Sequence, residues 1–304
     1  MSSLPSKTTS RIKRRNTLAG YMFFMPALIG LVFLNYGQMI ASLVISFTDW
    51  NVFKDPSFVG VKNYIELFTE DPFFWKSLRV TILYAFGSEL VTQLTALALA
   101  LLLNIESIKG RVVFRVLFYL PAIVPAVANS ILWLWLFNPN YGLLNALLKM
   151  IGLPTSKWIF GETTAVPSLI LMNSWGCGGA MVIYLAGLSN VPKSLLEAVE
   201  IDGGGTWTKF IHCTLPMISP SMFYNGLMGI INGFMVFTSS YIMTGGGPNN
   251  ATLFINYLIY REAFQNNRMG YSSALAWIIF VLLALLTLVI FRFFGKKVYY
   301  GSSE

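Results

Sequence analysis

The run from Ser272 to Phe294 carries a single charge, Arg292 near its end, and is otherwise apolar apart from a few hydroxyls. Roughly 20 apolar residues suffice to cross the hydrocarbon of a bilayer as a helix, which satisfies its own backbone groups where water cannot. Comparable runs recur at about Ala19–Phe47, Leu78–Leu103, Val112–Phe137, Val166–Leu188 and Met217–Thr244. Six such runs in 304 residues predict an all-α membrane protein of six transmembrane helices. The composition agrees, at 55% hydrophobic and 11% charged, where ordinary soluble domains are roughly a quarter charged.

The net charge of +8 is then a matter of membrane orientation, and nucleic acid is not implied. With six spans, thirteen of the Lys and Arg residues fall on one side and eight on the other. The richer side receives the basic tail 1–18 with Lys7, Arg11, Lys13, Arg14 and Arg15, and also Lys296 and Lys297. By the positive-inside rule both termini and the loop 190–216 are expected in the cytoplasm. The tail reads as a disordered segment or an orienting anchor. The first apolar run, 19–47, is too long for a cleaved leader and is expected to remain as a span. Cys177, Cys213 and the lone His212 have no spacing that suggests a disulfide framework or a metal site.

Between the fourth and fifth runs lies the longest segment that is both polar and regular, Ser194 to Pro216. Ser194 and Glu197 have capping-box spacing, so a helix is expected to open there. Gly203, Gly204 and Gly205 should end it, since glycine tolerates the left-handed conformation of many helix ends. Thr206 should open a second short helix with Trp207, Phe210 and Ile211 on one face, and Pro216 should close the segment. Such an element is either an amphipathic linker on the lipid headgroups or a knob that another protein receives.

Polar side chains within the runs mark a candidate route for a solute, since each is costly in hydrocarbon unless it faces a cavity or a partner. Asn173, Trp175, Asn225, Asn232 and Tyr241 are the candidates, with structural bonding across helices as the alternative for each amide. Glu89 stands four residues before Gln93, which predicts a carboxyl satisfied by that amide or by a facing helix; a proton relay is the alternative. No phosphate-binding Gly-x-x-x-x-Gly-Lys sequence occurs, so energy for active transport would come from another subunit.

Glu197, Ala198, Asp202, Gly203, Phe210, Leu215 and Pro216 resemble, in order and spacing, the EAA loop of ABC-importer permeases, with Glu197 and Pro216 nineteen positions apart. The chain departs at Val199, Gly204 and Cys213, where that family usually has Ala, Ala and Ile. Thr244-Gly-Gly-Gly-Pro-Asn-Asn-Ala-Thr252 and Phe137-Asn-Pro-Asn-Tyr-Gly-Leu-Leu-Asn145 resemble the carbohydrate branch of the family, particularly the first of its paired permeases. A tight external turn is the simpler account of 245–250. The similarity spans most of 78–294. It implies the type I ABC-importer permease fold, with a permease domain over 78–294 and a cytoplasmic coupling helix in 190–216. It further implies transport of a carbohydrate, an oligosaccharide or glycoside, across a bacterial or archaeal cytoplasmic membrane. A second similar permease, two ABC ATPase subunits that bind ATP and Mg, and an extracytoplasmic binding protein would complete the importer. This chain would catalyse nothing and bind no cofactor. A self-contained transporter driven by Glu89, or a membrane scaffold without a pore, are the alternatives outside that family.

Overall fold

The computed structural model of the protein describes residues 7–295, 298 and 299. Among these there is no strand, only an isolated bridge between Thr48 and Phe58. The helices are α1 (Lys7–Ile29), α2 (Gly37–Ile45), α3 (Lys62–Thr69), α4 (Pro72–Asn104), α5 (Arg111–Tyr119), α6 (Ala126–Leu136), α7 (Leu143–Met150), α8 (Ala165–Trp175), α9 (Gly178–Ser189), α10 (Lys193–Ile201), α11 (Thr206–Lys209), α12 (Leu215–Met217), α13 (Ser219–Phe234), α14 (Ile255–Tyr260) and α15 (Met269–Phe294).

Among the described residues three stretches are long and apolar enough to cross a membrane unbroken: Asn16–Ile45, Pro72–Asn104 and Met269–Phe294. Two more are broken. Arg111–Ile123 meets Ala126–Leu136 at 98°, and Ala165–Trp175 meets Gly178–Ser189 at 49°. The third run is therefore not the single helix expected over 112–137. Pro121 sits in a 3₁₀ turn and Pro125 caps α6, and each removes a backbone donor the helix would need to continue. The fifth run departs as well: α13 stops at Phe234 and a π-helical turn, Ser240–Thr244, follows a gap.

Three other boundaries shift. The basic segment is helical from Lys7, where a disordered tail was one expectation; Lys296 and Lys297 lie outside the described residues. The long helix α4 begins six residues before the expected Leu78, because Asp71 accepts a hydrogen bond from the Phe73 N–H (2.7 Å) and Pro72 takes the first helical position. The polar loops hold α3, α7 and α14 as short helices.

The chain forms two units, one holding the residues up to Ile65 with Glu262–Trp277, the other Glu66–Arg261 with the residues from Ile278 on. In the first, Asn63 donates to the carbonyls of Ser46 (2.8 Å) and Thr48 (2.9 Å), and the Gly270 N–H to Trp50 O (3.1 Å). The span Asn16–Ile45 buries none of its apolar window within the chain. Hydrocarbon or another subunit must cover such a surface.

In the second unit α4 is the central element, packed on α8, α9 and α13. Toward its C-terminal end the small Ala96 and Ala100 let Met181, Tyr184 and Ile218 close in. Toward its N-terminal end Tyr84 joins Trp133, Phe137, Leu169 and Phe254. The segment 244–252 is a turn pinned by fully buried Thr252, whose hydroxyl donates to Gly247 O (2.7 Å) and meets that of Thr244 (2.7 Å). Its glycines are needed for shape: Gly245 and Gly246 have φ of 57° and 82°.

Candidate functional site: a polar cavity and an exposed helical knob

Between α4, α8, α9 and α13 lies a cavity of about 380 Å³. Three of the expected route residues, Asn173, Asn225 and Asn232, line it together with Glu89. Each is presented by a different circumstance. Asn173 lies in the last turn of α8, just before the 49° break, and its amide donates to the Thr92 hydroxyl of α4 (3.2 Å). Asn225 is buried on α13 and donates to Ala180 O of α9 (3.2 Å), so it also ties two helices. Asn232 is exposed, and its side chain makes no hydrogen bond among the described residues.

The other two candidates sit elsewhere. Trp175 packs edge-on against Trp133, ring centres 5.7 Å apart, and Tyr241 stacks on Phe237 at 5.3 Å. Neither is on the cavity wall. The wall also holds groups the sequence did not single out, among them Ser88, Thr92, Tyr224 and Gly229. Ser88 and Thr92 are one turn apart on α4, beside Glu89, and that spacing was the signal available.

Glu89 accepts a hydrogen bond from the Gln93 amide, as the four-residue spacing predicted. Across from it, α13 approaches α4 through Gly226, Gly229 and Gly233. A Cβ at Gly229 would overlap the Glu89 carboxylate, and one at Gly233 would stand 2.7 Å from Ala85 Cα. The helices meet here almost backbone to backbone.

The knob is formed by α10 and α11. The expected capping box is absent: α10 begins at Lys193, with Pro192 as its cap and no side-chain capping bond, so Ser194 lies inside the first turn. Proline's fixed φ already starts the helix there, at −64°. The C-terminal end matches expectation. Gly203 has φ 81°, its N–H donates to Glu200 O (3.0 Å), and the Gly204 N–H donates to Val199 O (2.8 Å). That pair of bonds is a Schellman cap, which satisfies carbonyls a helix end leaves open.

Lys209 of α11 donates to the Glu200 carboxylate (2.5 Å), clasping the two helices and holding that carboxyl below the usual range. Glu106, in the loop after α4, is likewise lowered by its hydrogen bond from Lys193 (3.1 Å) and by the Lys193 and Arg111 charges. Glu197, Ala198, Asp202 and Gly203 are all exposed. Phe210 packs against Trp207 at 5.6 Å. The chain then runs through a π-helical turn into α12, so Leu215 and Pro216 lie within a short helix, and Ile218 marks the break before α13.

Two of the departures from the EAA pattern compensate each other. A Cβ at Gly204 would stand 2.5 Å from Val199 Cγ1 and 2.9 Å from Val199 O. The methyl of Val199 thus fills the space a residue 204 side chain would take. Gly204→Ala is expected to loosen the cap, and Val199→Ala added to it to restore much of the loss, with a coupling of about 1 kcal/mol. Hydrogen exchange across residues 199–205 in the purified complex reads both changes. Additive effects would show that the two sites are independent.

The sequence pattern of the family described as binding-protein-dependent transport system inner membrane component matches residues 94–299. A Bacillus subtilis protein named as a probable ABC transporter permease, YesP, is 40% identical over 299 residues, 97% of this chain and 96% of its own length. The trehalose/maltose transport system permease protein MalF of Thermococcus litoralis is 31% identical over 288 residues, covering 94% and 97%. Among solved structures, a chain of the bacterial alginate ABC transporter in complex with alginate pentasaccharide-bound periplasmic protein superposes with a TM-score of 0.81. It is 22% identical, with 98% of this chain and 100% of that one covered, and so it speaks to the fold alone. Because the family match runs from within α4 past the end of α15 and the relatives are matched along nearly their whole length, this chain belongs to the binding-protein-dependent transport system inner membrane components, as a permease of an ABC importer.

Proposed function

We propose that the cavity is this chain's part of the route by which a carbohydrate, an oligosaccharide or glycoside, enters the cytoplasm, and that the knob couples the route to ATP hydrolysis. The observation that carries the proposal is the convergence of three amides from two helices, α8 and α13, on one cavity beside α4. Amides donate and accept, which suits hydroxyl-rich solutes. Relatives named for trehalose/maltose and for arabinooligosaccharides support the carbohydrate class.

In this arrangement residues 78–294 form the permease domain, and the termini and the loop 190–216 face the cytoplasm of a bacterial or archaeal cell. A second similar permease completes the pore. Two ABC ATPase subunits carry ATP and Mg and receive Glu197–Gly203, with Phe210, Leu215 and Pro216 supporting the knob. An extracytoplasmic binding protein delivers the sugar. Trp175 and Tyr241 serve the approach to the cavity, outside its wall.

Asn232→Leu tests the route. Uptake of the sugar carried by the cognate binding protein should fall at least about tenfold, as when a polar site loses a hydrogen-bonding partner worth about 1.4 kcal/mol. All subunits should still co-purify, because the Asn232 amide bonds nothing among the described residues. Asn225→Leu should cost assembly as well, since its amide holds Ala180 O. Full uptake in Asn232→Leu would remove the cavity from the route.

A further inference from the structure

Glu89 stands near the middle of α4 with its carboxylate on the cavity wall. Two hydrogen bonds lead to it, and both point their donors the same way. The Tyr184 hydroxyl donates to Gln93 Oε1, and Gln93 Nε2 donates to Glu89 Oε1. The relay ends on Glu89 with a donor, which an ionised carboxylate can accept. On the facing helix the absence of a side chain at Gly229 makes the space the carboxylate occupies. Among the described residues the wall holds no lysine, arginine or histidine. One negative charge, held by a directed relay, therefore faces the cavity without a counter-charge beside it.

Low-dielectric walls focus the field of such a charge into the space they enclose. We propose that Glu89 sets the charge class of what this permease passes: uncharged or amine-bearing saccharides are admitted, and saccharides bearing carboxylates are rejected. This rests on the cavity being the sugar's route. The amides read hydroxyls, which nearly all saccharides share, and they cannot separate a neutral sugar from a uronate. The carboxylate can, because a second anion brought beside it is repelled while each amide contact stays as it was. Glu89 is thus a selectivity residue, and its hydrogen bond to Gln93 holds it in place for that role.

The test needs no knowledge of the sugar. In the assembled importer, Cys177→Ser and Cys213→Ser remove this chain's own thiols, Met228→Cys places one on the cavity wall, and labelling is read on this chain alone. The probes are a trimethylammonium-bearing and a sulfonate-bearing methanethiosulfonate, each rate normalised to that with free cysteine in solution. The cationic reagent should react at least about tenfold faster than the anionic one, the lower end of what a focusing cleft gives. Adding Glu89→Gln should bring the ratio to about one, since the amide keeps the shape and loses the charge. Val236→Cys, on the same wall, serves if Met228→Cys fails to assemble. A ratio near one with Glu89 present, a ratio unmoved by Glu89→Gln, or no reaction at either position overturns the proposal. Failure of the route itself is read separately, by full uptake in Asn232→Leu, which the thiol ratio does not touch.

Discussion

Gly203→Pro should leave an importer that assembles its membrane part but no longer answers to its binding protein. Residue 203 has φ 81°, and its N–H donates to Glu200 O. Proline fixes φ near −65° and has no N–H, so the cap cannot form, at a cost of about 3 kcal/mol or more. The damage stays local. Glu197, Ala198 and Asp202 are exposed, and nothing in the spans rests on Gly203, whose missing side chain has open space around it. Stimulation of ATP hydrolysis by loaded binding protein should fall at least about tenfold, the change that follows when coupling weakens by 1.4 kcal/mol. Co-purification of the ATPase subunits, measured beside it, tells weak docking from silent docking. Unchanged stimulation and association would make α10 and α11 a plain linker.

Gly233→Val should act in the opposite place and manner, on the fold and not on coupling. The nearest atoms to a new Cβ are Ala85 Cα at 2.7 Å and Ala85 Cβ at 2.8 Å. Backbone atoms in the middle of α4 have no rotamer to change, so the helices must part. Overpacking of this kind costs about 1–3 kcal/mol, and more where the backbone is rigid. Parting α4 from α13 also opens the wall that carries Glu89 and Asn225. The yield of assembled complex and its thermal midpoint in detergent should both fall well below those of Gly203→Pro. An unaltered midpoint would mean that this helix contact is not kept in the assembled importer.

The parts of this structure legible in the sequence are those set by neighbours along the chain. Apolar length marked the three unbroken membrane helices, the Glu89–Gln93 spacing foretold their bond, and the glycine run foretold the left-handed cap at Gly203. Misreadings came where two local signals competed. Ser194 and Glu197 have capping-box spacing, but Pro192 starts the helix first. Asp71-Pro72 opens α4 six residues ahead of the apolar stretch, because a cap and a proline decide a helix start more strongly than hydropathy does. Pro121 and Pro125 announced a disturbance, though not a bend of 98°. The partner of Glu89 across the cavity was beyond reach. Gly229 is 140 positions away and faces it only because α13 lies along α4.

The length of α4 has a mechanical consequence. Its 33 residues, at 1.5 Å each, make a rod of about 50 Å, well beyond the roughly 30 Å of hydrocarbon it must cross. Glu89 lies near the middle of that rod, and beyond its C-terminal end Glu106 touches Lys193, the first residue of α10. From Glu89 to that end is an arm of about 22 Å at the helical rise. If the rod pivots near the cavity by some 10°, its tip swings about 4 Å, so a small motion around the cavity becomes a stroke of bond-breaking size at the knob. The same ratio works in reverse. A push applied at the tip is geared down about the pivot, exchanging distance for force beside the cavity.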